Sequence, residues 1–131
     1  MEILVKLCGN KKVTAEFDGY QIISDQPKED GGEASGPAPF DLFLASLATC
    51  SGFFVQSFCQ TRKIQTNDIT IMQTSERDPE THLVSKIQIE IRLPASFPEK
   101  YRSSVIAAAN QCTVKKHLQN PPQIEVITNI I

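Results

Sequence analysis

The sequence has little net charge of either sign. Its 131 residues carry 13 Lys+Arg against 15 Asp+Glu, a formal net charge of −2. No strong field therefore draws the chain to nucleic acid or to an anionic membrane surface, and neither partner is expected. Eight prolines and six glycines are too few for a low-complexity tract. There is no CxxC, and no Cys/His pair stands at zinc-finger spacing. Cys8, Cys50, Cys59 and Cys112 lie 42, 9 and 53 residues apart, which gives no basis for a structural zinc site. With 40% apolar residues the chain can build a core without disulfide staples. The start, Met1-Glu2-Ile3-Leu4-Val5-Lys6, lacks the basic opening and long apolar run of a signal peptide. The expectation is a cytoplasmic protein with four free thiols. Asp30-Gly31-Gly32-Glu33-Ala34-Ser35-Gly36 is glycine-bearing but has no lysine in the phosphate-loop position.

Charge is also missing locally. Residues 42–61 contain none, and five of the seven phenylalanines (Phe40, Phe43, Phe53, Phe54, Phe58) lie in or just before that run. Its length is that of a membrane span. Its serines, threonines, glutamines and glycine make it too polar for lipid on every side. A helix apolar nearly all round is otherwise a buried one. A chain of this size has too little mass to cover it, so a second copy of the subunit is expected to help.

The flanking segments read as strands. Residues 1–8, 11–17 and 20–25 are short runs separated by Gly9-Asn10 and by Asp18-Gly19, the second a strong hairpin signal. A polar loop over residues 26–36 follows, and Pro37 and Pro39 set up the helix start. Residues 67–75 and 83–93 predict a second hairpin. In it Ile87, Ile89, Ile91 and Leu93 alternate with Lys86, Gln88, Glu90 and Arg92, one face buried and one wet. Ser96 and Glu99 form an S-x-x-E capping box with Pro98 in the first turn. The helix behind it should run toward Leu118 with a break near Cys112. Asn120-Pro121-Pro122 stops it, and residues 123–130 predict a last strand. Strands grouped before and after helices indicate an α+β fold with largely antiparallel sheets. No repeat or linker divides residues 1–131, so one domain is expected.

A cysteine is by default a small core residue. Cys8, beside a turn, has no chemistry-bearing neighbour and keeps that role. Cys50 and Cys59, nine residues apart in one helix, point to opposite faces, so at most one of them faces a given pocket. Cys112 precedes Thr113-Val114-Lys115-Lys116-His117. A helix restarting there would favour its thiolate, although the two lysines and His117 also fit an ordinary solvated helix face. His82 is the one other histidine, and no Ser-His-Asp or Cys-His signature surrounds it.

The stretch Gly36-Pro37-Ala38-Pro39-Phe40-Asp41-Leu42-Phe43-Leu44-Ala45-Ser46-Leu47-Ala48-Thr49-Cys50 resembles the G-P-x-P-x-[E/D]-L-L-L-A-x-L-x-x-C signature of the OsmC/Ohr family. Cys112-Thr113-Val114-Lys115-Lys116 is similar to the family's second mark, a cysteine opening a short late helix. Gly19 to Asp25 followed by a Gly-Gly loop fits as well, and so does Thr74-Ser75-Glu76-Arg77. The resemblance implies an OsmC-like intertwined homodimer with a long buried central helix. It implies thiol-dependent reduction of organic hydroperoxides and, more weakly, hydrogen peroxide, without a cofactor. Cys50 would be the peroxidatic thiol and Cys112 the resolving one, with an external dithiol, lipoyl-type or a small thiol, restoring the pair. Asp41 matches the acid of one branch of the family; its plain alternative is helix N-terminal charge. Phe40, Phe43, Phe53 and Phe54 would form an apolar substrate pocket, or serve simply as core. The family's N-terminal arginine has no counterpart, since the cations before Cys50 are Lys6, Lys11, Lys12 and Lys28. Arg77, in the second hairpin, is the candidate to replace it. The rival reading is a non-catalytic dimer that binds a hydrophobic small molecule or a metal at the thiol pocket.

Overall fold

The computed structural model describes all 131 residues, which form two compact units, Met1–Ala45 and Ser46–Ile131. The first unit is a three-stranded antiparallel sheet in the order β1 (Leu4–Leu7), β2 (Val13–Phe17), β3 (Tyr20–Ser24). Asp18 and Gly19 join β2 to β3 with φ of 48° and 81°. Two successive positive-φ residues make the turn whose twist matches the paired strands, which sets Phe17 opposite Tyr20. The loop after β3 is folded around Asp25, which is 1% exposed. Its carboxylate accepts from the amides of Gln26 (2.8 Å), Glu33 (3.3 Å) and Ser35 (3.1 Å) and from the Ser35 hydroxyl (2.6 Å). Gly36 is required in this loop, because a Cβ there would stand 2.5 Å from the Ile23 carbonyl oxygen.

Helix α1 (Pro39–Thr61) begins in the first unit and continues into the second. Its buried residues are Leu47, Ser51, Val55 and Cys59, every fourth position and therefore a single stripe. By length and composition α1 could cross a membrane, yet only 22% of its most apolar window is buried in the chain. No glycine ends it. Lys63 takes the left-handed conformation (φ 57°), and the Ile64 amide reaches back to the Cys59 carbonyl at 2.9 Å. These bonds satisfy carbonyls that the last turn leaves open.

The predicted second hairpin is β4 (Thr70–Arg77) and β5 (Val84–Arg92), paired from Thr70↔Arg92 to Arg77↔Val84. The alternation along β5 holds: Ile87, Ile89 and Ile91 are half-buried, while Lys86, Gln88, Glu90 and Arg92 are exposed. Helices α2 (Arg102–Ala109) and α3 (Thr113–Gln119) follow, with the expected break at residues 110–112. The core of this unit is Val55, Cys59, Phe97 and Val105, with Ile71, Ile91 and Tyr101 packed around it. The fold is α+β with small antiparallel sheets.

Two local expectations are corrected. The Ser96–Glu99 capping box does not form: a 3-10 turn over Glu99–Tyr101 starts from Pro98 with no side-chain cap. The Glu99 carboxylate pairs instead with Arg102 at 3.1 Å, one turn along. Nor do residues 123–130 form a strand. Ile124, Val126, Ile127 and Ile130 are between 71% and 104% exposed, and neither sheet includes them. A strand is held by a neighbour's ladder, and within one chain this segment has none.

Candidate active site at Cys50 and Cys112

Cys59 and Cys50 separate as helical geometry requires. Cys59 is fully buried in the core, where burial pushes its thiol up and Arg62 pulls it partly back. A protonated buried thiol is chemically quiet. Cys8 is exposed at the end of β1, its sulfur 3.6 Å from the Thr14 hydroxyl.

Cys50 lies on the half-buried side of α1 and meets the turn that opens α3. That turn is organised by Cys112, which is fully buried and stands at the N-cap. Its sulfur accepts from the Lys115 amide at 3.4 Å, and its S–H donates to the Leu47 carbonyl at 3.9 Å. The Leu47 bond ties α3 to α1 one turn before Cys50. Burial pushes the Cys50 thiol up, but hydrogen bonds from the Val114 amide, the Cys112 thiol and the Thr113 amide and hydroxyl together outweigh it. The Cys50 thiol therefore sits below its ordinary range. Each group that lowers it is a neutral donor aimed at the sulfur, which favours the thiolate. Cys112, 62 positions along the chain from Cys50, thus docks on α1 one turn away from it.

The basic side chains near this turn have other partners. Lys115 Nζ donates to Asn110 Oδ1 (2.6 Å), Lys116 Nζ to Gln111 Oε1 (3.2 Å), and His117 Nδ1 lies 2.7 Å from the Thr113 carbonyl. The Arg77 guanidinium donates to the His82 carbonyl at 2.9 Å, within the β4–β5 hairpin. Asp41 accepts from the Ala38 amide at 3.3 Å, as an acid in the first turn of a helix does.

The phenylalanines of α1 pair within each unit. Phe40 stacks on Phe43 (centroids 5.4 Å apart) in the first unit, and Phe53 meets Phe54 edge-on (5.2 Å) in the second. One cavity on α1 is lined by Thr49, Gly52 and Phe53, and a second, beside the residues that bond Cys112, is largely aliphatic. A cleft of about 610 Å³ is lined by Leu47, Ser51, Ile87, Ile89, Val105 and Lys115, among others. Leu47 and Lys115 are the two residues that hydrogen-bond Cys112, so one wall of the cleft is the back of the thiol site. The sequence signal for it was the alternating face of β5, which reads equally as ordinary core. Thr113 and Val114 were visible only as neighbours of a cysteine. No group of three or more His, Cys, Asp or Glu side chains stands together as a metal site.

The family model described as OsmC-like protein matches residues 31–127, which take in both cysteines. The chain belongs to the OsmC-like family. Its fold is shared with solved members at low identity. An OsmC-like protein from Mycoplasma pneumoniae superposes with a TM-score of 0.72 at 21% identity, over 92% of this chain and 87% of that one. An organic hydroperoxide resistance protein from Legionella pneumophila gives 0.56 at 20% identity, over 91% and 90%. The organic hydroperoxide resistance protein OhrB of Bacillus subtilis gives 0.53 at 19% identity, over 92% and 93%. A sequence search of curated proteins yields no significant match. Within the OsmC-like fold, the Cys50–Cys112 site is built from the middle of α1 and the first turn of α3.

Proposed function

We propose that this OsmC-like chain is a thiol peroxidase for organic hydroperoxides, and more weakly for hydrogen peroxide. The observation that carries the reading is the docking of the Cys112 turn on α1 one turn before Cys50, Cys112 Sγ lying 3.9 Å from the Leu47 carbonyl oxygen, with Cys50 drawn toward thiolate. The hydroperoxide resistance proteins that share the fold support it. The Cys50 thiolate attacks one peroxide oxygen and the O–O bond breaks. Two electrons leave sulfur, giving Cys50 sulfenic acid and an alkoxide, which takes a proton from water to become the alcohol. The Cys112 sulfur then attacks the sulfenic acid, water leaves, and a Cys50–Cys112 disulfide forms. An external dithiol of the lipoyl or small-thiol class exchanges with this disulfide, becoming a disulfide itself and restoring both thiols. The aliphatic cleft beside Cys112 suits an alkyl group better than it suits hydrogen peroxide.

We further infer that the working form is a homodimer in the cytoplasm. One face of α1 is covered within the chain, Phe53 is 65% exposed, and the apolar tail over residues 123–131 has no partner. A second copy supplies apolar surface and strand edges of the matching kind.

One stoichiometric dose of an alkyl hydroperoxide tests the peroxidase reading. Intact mass should fall by about 2 Da, and peptide mapping should place the new bond between Cys50 and Cys112. Cys50→Ser should abolish peroxide consumption, Cys112→Ser should stop at the sulfenate, and Cys59→Ser should turn over normally. An unchanged mass, or equal loss with Cys59→Ser, overturns the reading in favour of a non-catalytic dimer that binds an apolar molecule.

A further inference from the structure

The cleft behind the Cys112 turn has a consistent chemistry. Its walls come from Ile87, Ile89 and Ile91 of β5, Val105 and Ile106 of α2, and Leu118 of α3. At about 610 Å³ it is of the size that holds a small molecule. Every charged residue in its lining is basic: Lys86, Arg102 and Lys115. An apolar slot with positive charge at its margin is complementary to an amphipathic anion, whose chain takes the walls while its head meets the charge. The lining includes neither Cys50 nor Cys112, so a ligand seated there touches the supports of the thiol site and not the sulfurs.

The three basic residues are not equivalent. Lys86 pairs with Glu76 at 3.5 Å, and Arg102 with Glu99 at 3.1 Å. An anion arriving at either would compete with a carboxylate already in place. Lys115 is half-buried, and its ammonium donates to Oδ1 of Asn110, a neutral group that lines the same cleft, at 2.6 Å. A hydrogen bond with both partners ionised is stronger than one to a neutral acceptor, so the head of the ligand belongs at Lys115. The Lys115 amide is separately engaged with the Cys112 sulfur at 3.4 Å. The backbone therefore holds the turn while the side chain changes partner.

We propose that this cleft is a binding site for a free aliphatic carboxylate, its chain on the β5–α2 walls and its carboxylate on the Lys115 ammonium. The ligand needs no peroxide group, and the proposal stands apart from the peroxidase reading. Each further methylene buried tightens binding by about fourfold at most, so affinity should climb with chain length until the cleft is filled.

Calorimetric titration of the full chain, with its thiols kept reduced, tests this with octanoate, decanoate and octanol as probes. Decanoate should saturate one site per chain and bind about tenfold more tightly than octanoate. Lys115→Met keeps the unbranched stem and the backbone amide while deleting the charge. It should weaken both carboxylates about tenfold and leave octanol within about twofold of the parent. Lys115→Arg should bind decanoate as the parent does. Ile106 lines the cleft and is 56% exposed, so Ile106→Glu places a like charge at the wall without disturbing the core. It should also weaken decanoate about tenfold, and it stands in for Lys115→Met if that variant loosens α3. No saturable decanoate binding by the intact protein overturns the proposal, because the cleft is then covered in the assembly. Equal affinity for octanoate and decanoate overturns it as well. So does a Lys115→Met chain that binds decanoate like the parent, or one that loses octanol and octanoate alike. No peroxide is present in this measurement, so its failure is distinct from a failure of the peroxidase reading.

Discussion

Three residues show how far environment, rather than residue type, decides chemistry here. Cys59 and Cys50 are the same side chain on the same helix. One is surrounded by Val55, Phe97 and Val105 and is pushed toward the neutral thiol; the other faces four hydrogen-bond donors and is drawn toward thiolate. The third is Asp25, buried and ionised without a cation. The Ser35 hydroxyl and the Gln26 amide lower its carboxyl most, burial works against them, and the Ser35 and Glu33 amides add to the lowering. Its pKa is held at about 2 against an ordinary 3.8. The unfolded chain therefore binds the proton first as pH falls, so the stabilisation by Asp25 is complete above pH ~4 and is lost as pH drops toward ~2. Asp25→Asn should lower the urea midpoint clearly at pH 5, with the difference from the parent closing by pH 2. A constant difference across that range would show that the carboxylate charge is not what holds the loop. In the sequence Asp25 stands out only as the end of a strand and of the Gly19–Asp25 stretch that resembles the family, and neither shows that it organises the loop.

Among the elements, the β5 alternation and the break before α3 were readable because they depend on local pattern alone. The Ser96–Glu99 capping box was misleading for an equally physical reason. A cap needs the chain to enter the helix at the serine, whereas here a 3-10 turn enters at Pro98 and Glu99 finds Arg102 instead. The connection between β5 and α2 is anchored by Phe97, which is 4% exposed and packs with Val55, Cys59 and Val105. Phe97→Ala should cost about 3–5 kcal/mol of unfolding free energy, because the cavity adds to the lost transfer energy. Denaturant titration measures it; a cost below ~1 kcal/mol would mean that α2 closes over the gap.

At the scale of the whole molecule, a single chain leaves much of α1 and the tail beyond Pro122 uncovered. The tail alternates apolar and polar residues at Ile124, Glu125 and Val126 and is almost entirely solvent-exposed. In the homodimer proposed above it would gain the ladder it lacks. The intact protein should sediment at twice the chain mass, and deletion of residues 123–131 should shift it toward the monomer and lower its melting temperature. A truncated chain that remains fully dimeric would confine the contact to α1.

Local pattern in the chain was enough to show the family, the α+β order of elements, the opposite faces of Cys50 and Cys59, and the strand face of β5. All of these follow from spacing along one segment or from a long contiguous motif. The surroundings of Cys50 came only from the folded chain, which brings the Cys112 turn onto α1. It also decided that β5 isoleucines line the cleft beside the groups that bond Cys112, and that a buried carboxylate holds the glycine loop. The physical reason is common to all three. Each depends on atoms contributed by segments remote in sequence, and a hydrogen bond or a cavity exists only once those segments have been brought within a few ångströms of one another.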